Sequence, residues 1–243
     1  MNPVAEGDTI LRVARRIDAA LAGGTVAASA PNPRGRAAGI GRLDGLRLGR
    51  AEARGKHLLL HFGDLVLHSH LGMSGSWHLY ERGAPWRKPR SSAWAVLAGG
   101  GQEAVQFGGP TVRVLRADRL RRDPQLAHLG PDVLAPDFDV ATAVRTMRTD
   151  PTRTLGDALL DQSLVAGIGN IFKSEACFAA RLDPWRPLAE LGDEELAAVL
   201  GAARGLMLEA VASGRHPHAV YRRRGPCSIC GTPIASQDRK SVV

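Results

Sequence analysis

Leu159-Leu160-Asp161-Gln162-Ser163-Leu164-Val165-Ala166-Gly167-Ile168-Gly169-Asn170 leads straight into an apolar, helix-patterned stretch that begins at Ile171. A helix ends, a glycine-bearing turn follows, and a second helix starts. Gly167 and Gly169 permit positive φ and close approach of another backbone, and Asn170 stands at the N-cap position. The free N–H groups of the second helix, with its dipole behind them, then offer a place for an anion such as phosphate. Taken alone, the turn reads as an ordinary helical hairpin with a good cap. Its meaning depends on what the rest of the chain supplies.

Working outward from the turn, apolar residues recur at helical spacing over 140–147, 155–160, 170–182 and 194–213, which predicts an all-helical unit from about residue 125. Upstream the texture is different. Short apolar runs at 46–54, 57–62, 65–70, 76–80, 93–97 and 112–115, many of them separated by Gly or Pro clusters, predict an antiparallel sandwich or barrel. Ile10, Leu11, Val13, Ala14, Ile17, Ala20 and Leu21 place an amphipathic helix before it, ended by Gly23-Gly24. The pattern divides the chain into an N-terminal β-sandwich domain over 1–124, a helical domain over 125–224, and a tail over 225–243. Such a tail is too short to fold unaided.

Charge narrows the partner. The chain has 243 residues with 32 Lys and Arg against 24 Asp and Glu, a net charge of +8 that favours a polyanion. Apolar runs such as 93–98 fall far short of the roughly 20 residues a bilayer requires, and nothing at the start resembles a secretory leader. The expectation is a cytoplasmic, nucleoid-associated protein whose partner is nucleic acid and not membrane. Three cysteines, two of them in Cys227-Ser228-Ile229-Cys230, suggest a reducing compartment and a metal half-site. Positive charge is carried by Arg except at Lys56, Lys88, Lys173 and Lys240. A lysine retained in such a chain invites a chemical reason, because its compact ammonium exchanges a proton where guanidinium does not.

Seven segments resemble, in order, those of the formamidopyrimidine-DNA glycosylase and endonuclease VIII family: AEGDTI (5–10), ARGKHLLLHF (53–62), HSHLGMSGSW (68–77), HLGPDVL (128–134), LLDQ (159–162), AGIGN (166–170) and NIFKSEACFAARLDPWRP (170–187). The likeness is greatest to endonuclease VIII-like members. It implies an α+β two-domain protein, an N-terminal antiparallel β-sandwich with a flanking helix followed by a helix-two-turn-helix domain, with an incomplete zinc-finger tail. The implied activity is base-excision repair of oxidised bases in double-stranded DNA by a monomeric glycosylase and abasic-site lyase that works on a flipped nucleotide. An N-terminal amine would attack the sugar, Glu6 would shuttle protons, and Lys56 would assist elimination beside the lesion phosphate. Met73 would fill the gap left by the flipped base. Asn170, Lys173 and Arg239 would hold DNA, and Cys227 with Cys230 would be zinc ligands.

The chain departs from the family pattern in several places. Ala5, where the family places a proline nucleophile, precedes Glu6, while Pro3 is internal and its nitrogen is a tertiary amide. A start at codon 4, read as Met and then removed, would expose Ala5 as a primary amine; a retained extension would instead leave a non-catalytic binder of damaged or abasic DNA. The second C-x-x-C of the finger is missing, and structural zinc takes four ligands. The Arg and aromatic companions of the wedge are not evident in Phe107-Gly108-Gly109-Pro110-Thr111-Val112. Five histidines, His57, His61, His68, His70 and His78, lack an accompanying acidic or thiolate pattern and read as sheet residues, not as metal ligands.

Overall fold

The computed structural model describes residues 5–217, 219–221, 225–227 and 229–234. The first helix, α1 (Gly7–Leu21), buries Ile10, Ala14, Ile17 and Leu21, the stripe expected from the spacing. Strands β1 (Ala27–Ser29), β2 (Arg50–Arg54), β3 (His57–Phe62), β4 (Leu65–His70), β5 (Ser76–Glu81), β6 (Ala93–Gly99), β7 (Gln102–Phe107) and β8 (Thr111–Arg116) form two antiparallel sheets, with a short helix α2 (Pro33–Ala37) after β1. The strand orders are β1-β6-β7-β5 and β2-β3-β4-β8. Residues from both sheets, including Leu58, Leu60, Leu67, Trp77, Ala95 and Leu97, share one apolar core with the buried face of α1.

Strands β1 and β7 are absent from the runs read off the sequence. β7 follows the Gly99-Gly100-Gly101 turn, opens on polar Gln102 and Glu103, and buries four consecutive residues, Ala104 to Phe107, instead of alternating.

A 3-10 segment, Ala117–Arg122, leads to the helical unit: α3 (Val140–Met147), α4 (Leu155–Leu160), α5 (Asn170–Ala180) and α6 (Asp193–Ser213). Phe172, Leu155, Leu159, Ile168, Leu196, Leu200 and Met207 make its core. Arg181 closes α5 in the left-handed region at φ 56°, so this helix ends earlier than the pattern suggests. By length and apolarity α6 could cross a membrane, but Leu196, Val199, Leu200, Ala203 and Met207 on it are buried in the helical core.

The two units meet along α1 and α6 and at two backbone contacts that fix the site. Gly7 N–H donates to Gly167 O at 2.9 Å, and a Cβ at Gly7 would lie 3.0 Å from Gly167 Cα, so glycine is what lets α1 touch the turn. Gly55 N–H donates to Asp132 Oδ2 at 2.7 Å, with Gly55 at φ 56°. Arg204 on α6 donates to the carbonyls of Val133 and Ala135 and so steadies the loop that carries Asp132.

Candidate active site at the domain junction

The anion at the start of α5 is one the chain supplies itself. Glu6 is 1% exposed, and its carboxylate accepts Gly169 N–H and Phe172 N–H on Oε2 at 3.0 and 3.3 Å and Ile171 N–H on Oε1 at 2.8 Å. The helix dipole and these N–H groups favour its charged form. Three amides of the turn and the start of α5, those of Gly169, Ile171 and Phe172, are thus taken by a carboxylate 163 or more residues away. The cap differs from the sequence reading. Gly169 is the N-cap of α5 and Asn170 is its first residue, exposed, with its Oδ1 accepting from Lys173 Nζ at 3.3 Å.

Gln162 secures the turn from inside. Its amide donates to Leu160 O at 2.8 Å and Ile168 O at 3.0 Å, and its oxygen accepts Gly167 N–H at 3.0 Å. Those three bonds hold the glycine-bearing backbone in the shape that receives Glu6.

Burial raises the Glu6 carboxyl above the usual glutamate range, against the pull of the amides and of the Lys56 ammonium. Lys56 moves the opposite way. Burial lowers its ammonium below the usual lysine range while Glu6 opposes the shift. A carboxyl that is easier to protonate and an ammonium that is easier to deprotonate are therefore within electrostatic reach of one another at the domain junction, the pattern expected of proton-transfer groups. Lys56 owes its position to the tight turn at Gly55, which Asp132 grips from the helical side. Ala5 lies beside Glu6 and is buried.

Met73 is 78% exposed at the tip of the turn from β4 to β5. The turn is pinned from behind, because a Cβ at Gly72 would meet Pro110 at 2.8 Å and one at Gly75 would meet Leu71 O at 2.6 Å. Gly109, at φ 106°, leaves only 2.8 Å between its own Cβ position and His70 O. A side chain at Gly109 would meet the His70 carbonyl.

Two buried ionic contacts were not foreseen. Asp8, fully buried on α1, accepts from His216 Nε2 at 2.9 Å, and this carboxylate holds the His216 imidazolium above the ordinary histidine range. Glu175 on α5 accepts the N–H groups of Ala219, Val220 and Tyr221 at 3.0, 3.0 and 2.7 Å. Together they fold the segment after α6 back over the junction. His216 is thus engaged by a carboxylate of α1. Neither contact leaves a local pattern, since Asp8 and His216 stand 208 positions apart.

The tail does not assemble a metal site among the described residues. Cys227 Sγ accepts Ile229 N–H at 3.4 Å, Cys230 Sγ contacts Thr232 Oγ1 at 3.4 Å, and no group of three or more His, Cys, Asp or Glu converges there. Cys177 is in the helical core with its thiol pushed up to about 12 by burial. Two thiols do not fit a closed tetrahedral zinc site. Metal analysis of the purified chain is expected to give well under one zinc per molecule; one tightly held zinc would show that further ligands close the site. Arg239 and His218 lie outside the described residues.

Comparison with known proteins agrees with this arrangement. Residues 4–108 match the family model described as the formamidopyrimidine-DNA glycosylase N-terminal domain, and residues 129–220 match the formamidopyrimidine-DNA glycosylase H2TH domain. A probable endonuclease 8 2 of Streptomyces coelicolor is 37% identical over 246 residues, covering 96% of this chain and 87% of that protein. The DNA-(apurinic or apyrimidinic site) lyase Nei2 of Mycolicibacterium smegmatis is 34% identical, covering 94% and 91%. Among solved structures, the formamidopyrimidine-DNA glycosylase of Lactococcus lactis bound to DNA with an abasic site superposes with a TM-score of 0.78 at 23% identity, covering 93% and 91%, a likeness of fold. With both of its domains matched in sequence, the chain belongs to the formamidopyrimidine-DNA glycosylase family, as an endonuclease VIII-like member.

Proposed function

We propose that the protein is a base-excision repair glycosylase and abasic-site lyase that removes oxidised bases from duplex DNA, with Ala5, Glu6 and Lys56 as its reacting groups. The observation that carries this reading is the buried Glu6 carboxyl, next to residue 5 in the chain, held on the first amides of α5 and within electrostatic reach of Lys56. Names borne by the relatives agree with it.

In this reading a free amine at residue 5 forms a bond to the sugar C1′. The glycosidic bond breaks, the base leaves with its electron pair and a proton, and ring opening takes a proton from Glu6 onto O4′, leaving an iminium. Loss of the C2′ proton then expels the 3′ phosphate, with Lys56 close to the departing charge. The alternative of a non-catalytic binder gains nothing from a carboxyl and a lysine shifted toward each other. Incision of a duplex carrying a single abasic site, with an undamaged duplex left intact, tests the activity.

Asn170 and Lys173 on the exposed start of α5, and Met73 at the wedge turn, are proposed as the DNA contacts, with a role for Arg239 resting on the sequence resemblance alone. Asn170→Ala is expected to weaken binding about tenfold, the size of one hydrogen bond to a charged group, and equally for all sequences, since phosphate contacts position without reading bases. A loss confined to some sequences would contradict that role. Wild-type affinity should fall steeply between about 50 and 200 mM salt through counterion release. The domain limits at 124 and 224 and the reading of the tail as a partial finger remain part of this proposal.

A further inference from the structure

The outer face of the β2-β3-β4-β8 sheet carries a hydrogen-bonded ladder that the proposed chemistry does not use. Asp123, just beyond the 3-10 segment between the two units, accepts from Arg113 Nη2 at 2.6 Å. Arg113 on β8 directs its Nε and Nη2 to His68 Nδ1 at 3.1 and 3.0 Å. His68 on β4, 0% exposed, meets His57 Nδ1 with its Nε2 at 2.8 Å. The His57 ring then rests on that of His70, with centroids 4.7 Å apart. Burial lowers the affinity of His70 for a proton, and the nearby Lys56 ammonium lowers it further.

The direction of every bond is forced. Arginine has donors only, so His68 Nδ1 must be a bare acceptor and its proton must sit on Nε2. That proton is donated to His57 Nδ1, which leaves His57 protonated on Nε2 alone. Burial and the positive neighbours act in the same sense, holding His57 down at about 3 and His68 at about 4, so both rings are neutral at physiological pH. Asp123, which would favour a charged ring, is already engaged by Arg113. Gln125, whose oxygen approaches Arg113 Nη2 at 3.4 Å, completes the outer end.

We propose that Asp123, Arg113 and His68 are positioning residues which fix His57 as an Nε2–H tautomer stacked against His70, so that Lys56 meets no charged imidazole in the stack. This rests on the role given to Lys56 above. A protonated imidazole in the stack would repel the Lys56 ammonium and compete with it for the lesion phosphate. A flipped tautomer would put two lone pairs, or two hydrogens, face to face between His57 and His68. The relay would therefore act on elimination and leave Schiff-base formation by the amine and Glu6 untouched.

Glutamine separates polarity from packing at position 68. Its oxygen can accept from Arg113 and its amide can donate to His57, while leucine fills a similar volume and does neither. In a chain that begins at Ala5, His68→Leu is expected to slow strand scission at a preformed abasic site about tenfold, the equivalent of one hydrogen bond. Borohydride trapping on the same DNA should keep its wild-type yield. Arg113→Met should behave like His68→Leu, and His68→Gln should recover most of the rate. A packing role would instead lower trapping, scission and melting temperature together in both position-68 variants. Nitrogen-15 spectra of the histidines supply a readout that does not depend on turnover: His57 should carry hydrogen on Nε2 only and stay neutral between about pH 5 and pH 8. Normal scission by His68→Leu, equal behaviour of the leucine and glutamine variants, or a wild-type His57 protonated on Nδ1 would each overturn the relay alone. A wild-type chain that is never trapped would overturn the relay and the Lys56 reading together.

Discussion

Gly169→Ala is expected to abolish base excision for practical purposes, lowering the single-turnover rate by about 10²–10⁴-fold, the range general acid and base catalysis contributes. The cause is steric. A Cβ built on Gly169 would lie 2.3 Å from Glu6 Cδ, 2.5 Å from Oε1 and 2.6 Å from Cγ. The backbone itself is no obstacle, because Gly169 sits at φ −125° and ψ −166°, a conformation open to any residue. The new methyl group must therefore drive the carboxyl off the amides of residues 169, 171 and 172. Affinity for undamaged duplex should change little, since Asn170 and Lys173 stand on the exposed side of the same helix turn. Gly201→Ala on α6 is the matched control: nothing lies within 4 Å of its Cβ position, and the variant should keep full activity and gain up to about 1 kcal/mol from helix propensity. Near-normal excision by Gly169→Ala would mean that the placement of Glu6 on α5 is irrelevant to the chemistry.

The history of Glu6 shows how far the sequence can be read. Periodicity locates α1 and its buried stripe, and the resemblance of AEGDTI gives the residue a catalytic role, with a first-turn helix carboxylate as the plain alternative. Glu6 does occupy the N-cap position of α1, yet its side chain makes no bond to that helix. It crosses to α5 instead. Such a contact depends on two glycines, Gly7 and Gly169, each leaving room for the other's neighbour, and glycine in a sequence announces freedom without saying what fills the space. The anion-binding geometry inferred at the AGIGN turn therefore has an occupant from the chain itself on the amides of residues 169, 171 and 172.

The histidines teach the complementary point. Spacing alone places His68 and His70 on one face of β4, and the lack of an acidic or thiolate pattern argues against a metal site. Neither gives a hint that Arg113, brought opposite His68 by the β4 to β8 register, fixes the tautomer of the whole stack. Antiparallel register joins residues 45 positions apart, and no local pattern records it. β7 escaped for a related reason: a strand buried on both faces loses the alternation by which half-buried strands are recognised. Met73 is read from the resemblance alone, since an isolated methionine is more often a core residue, and the structure places it exposed at the tip of its turn.

The second large effect concerns residue 5. A planar amide nitrogen has its lone pair delocalised and cannot attack a sugar, whereas a terminal α-amine has a pKa of about 7.7–8.0 and is partly neutral near pH 7. Ala5 is buried directly before Glu6 at the start of α1, so a chain that begins there presents its amine next to the carboxyl proposed as proton shuttle. In that chain Glu6→Gln should remove base excision, because an amide cannot supply the proton that ring opening consumes. A chain that begins at Met1 should bind DNA as well through Asn170 and its basic surface. Borohydride reduction on abasic-site DNA decides the matter most directly. The Ala5 chain is expected to become covalently joined to the DNA in high yield and the Met1 chain to be trapped poorly. Equal trapping of both would contradict residue 5 as the nucleophile, and no trapping of either would contradict the lyase itself.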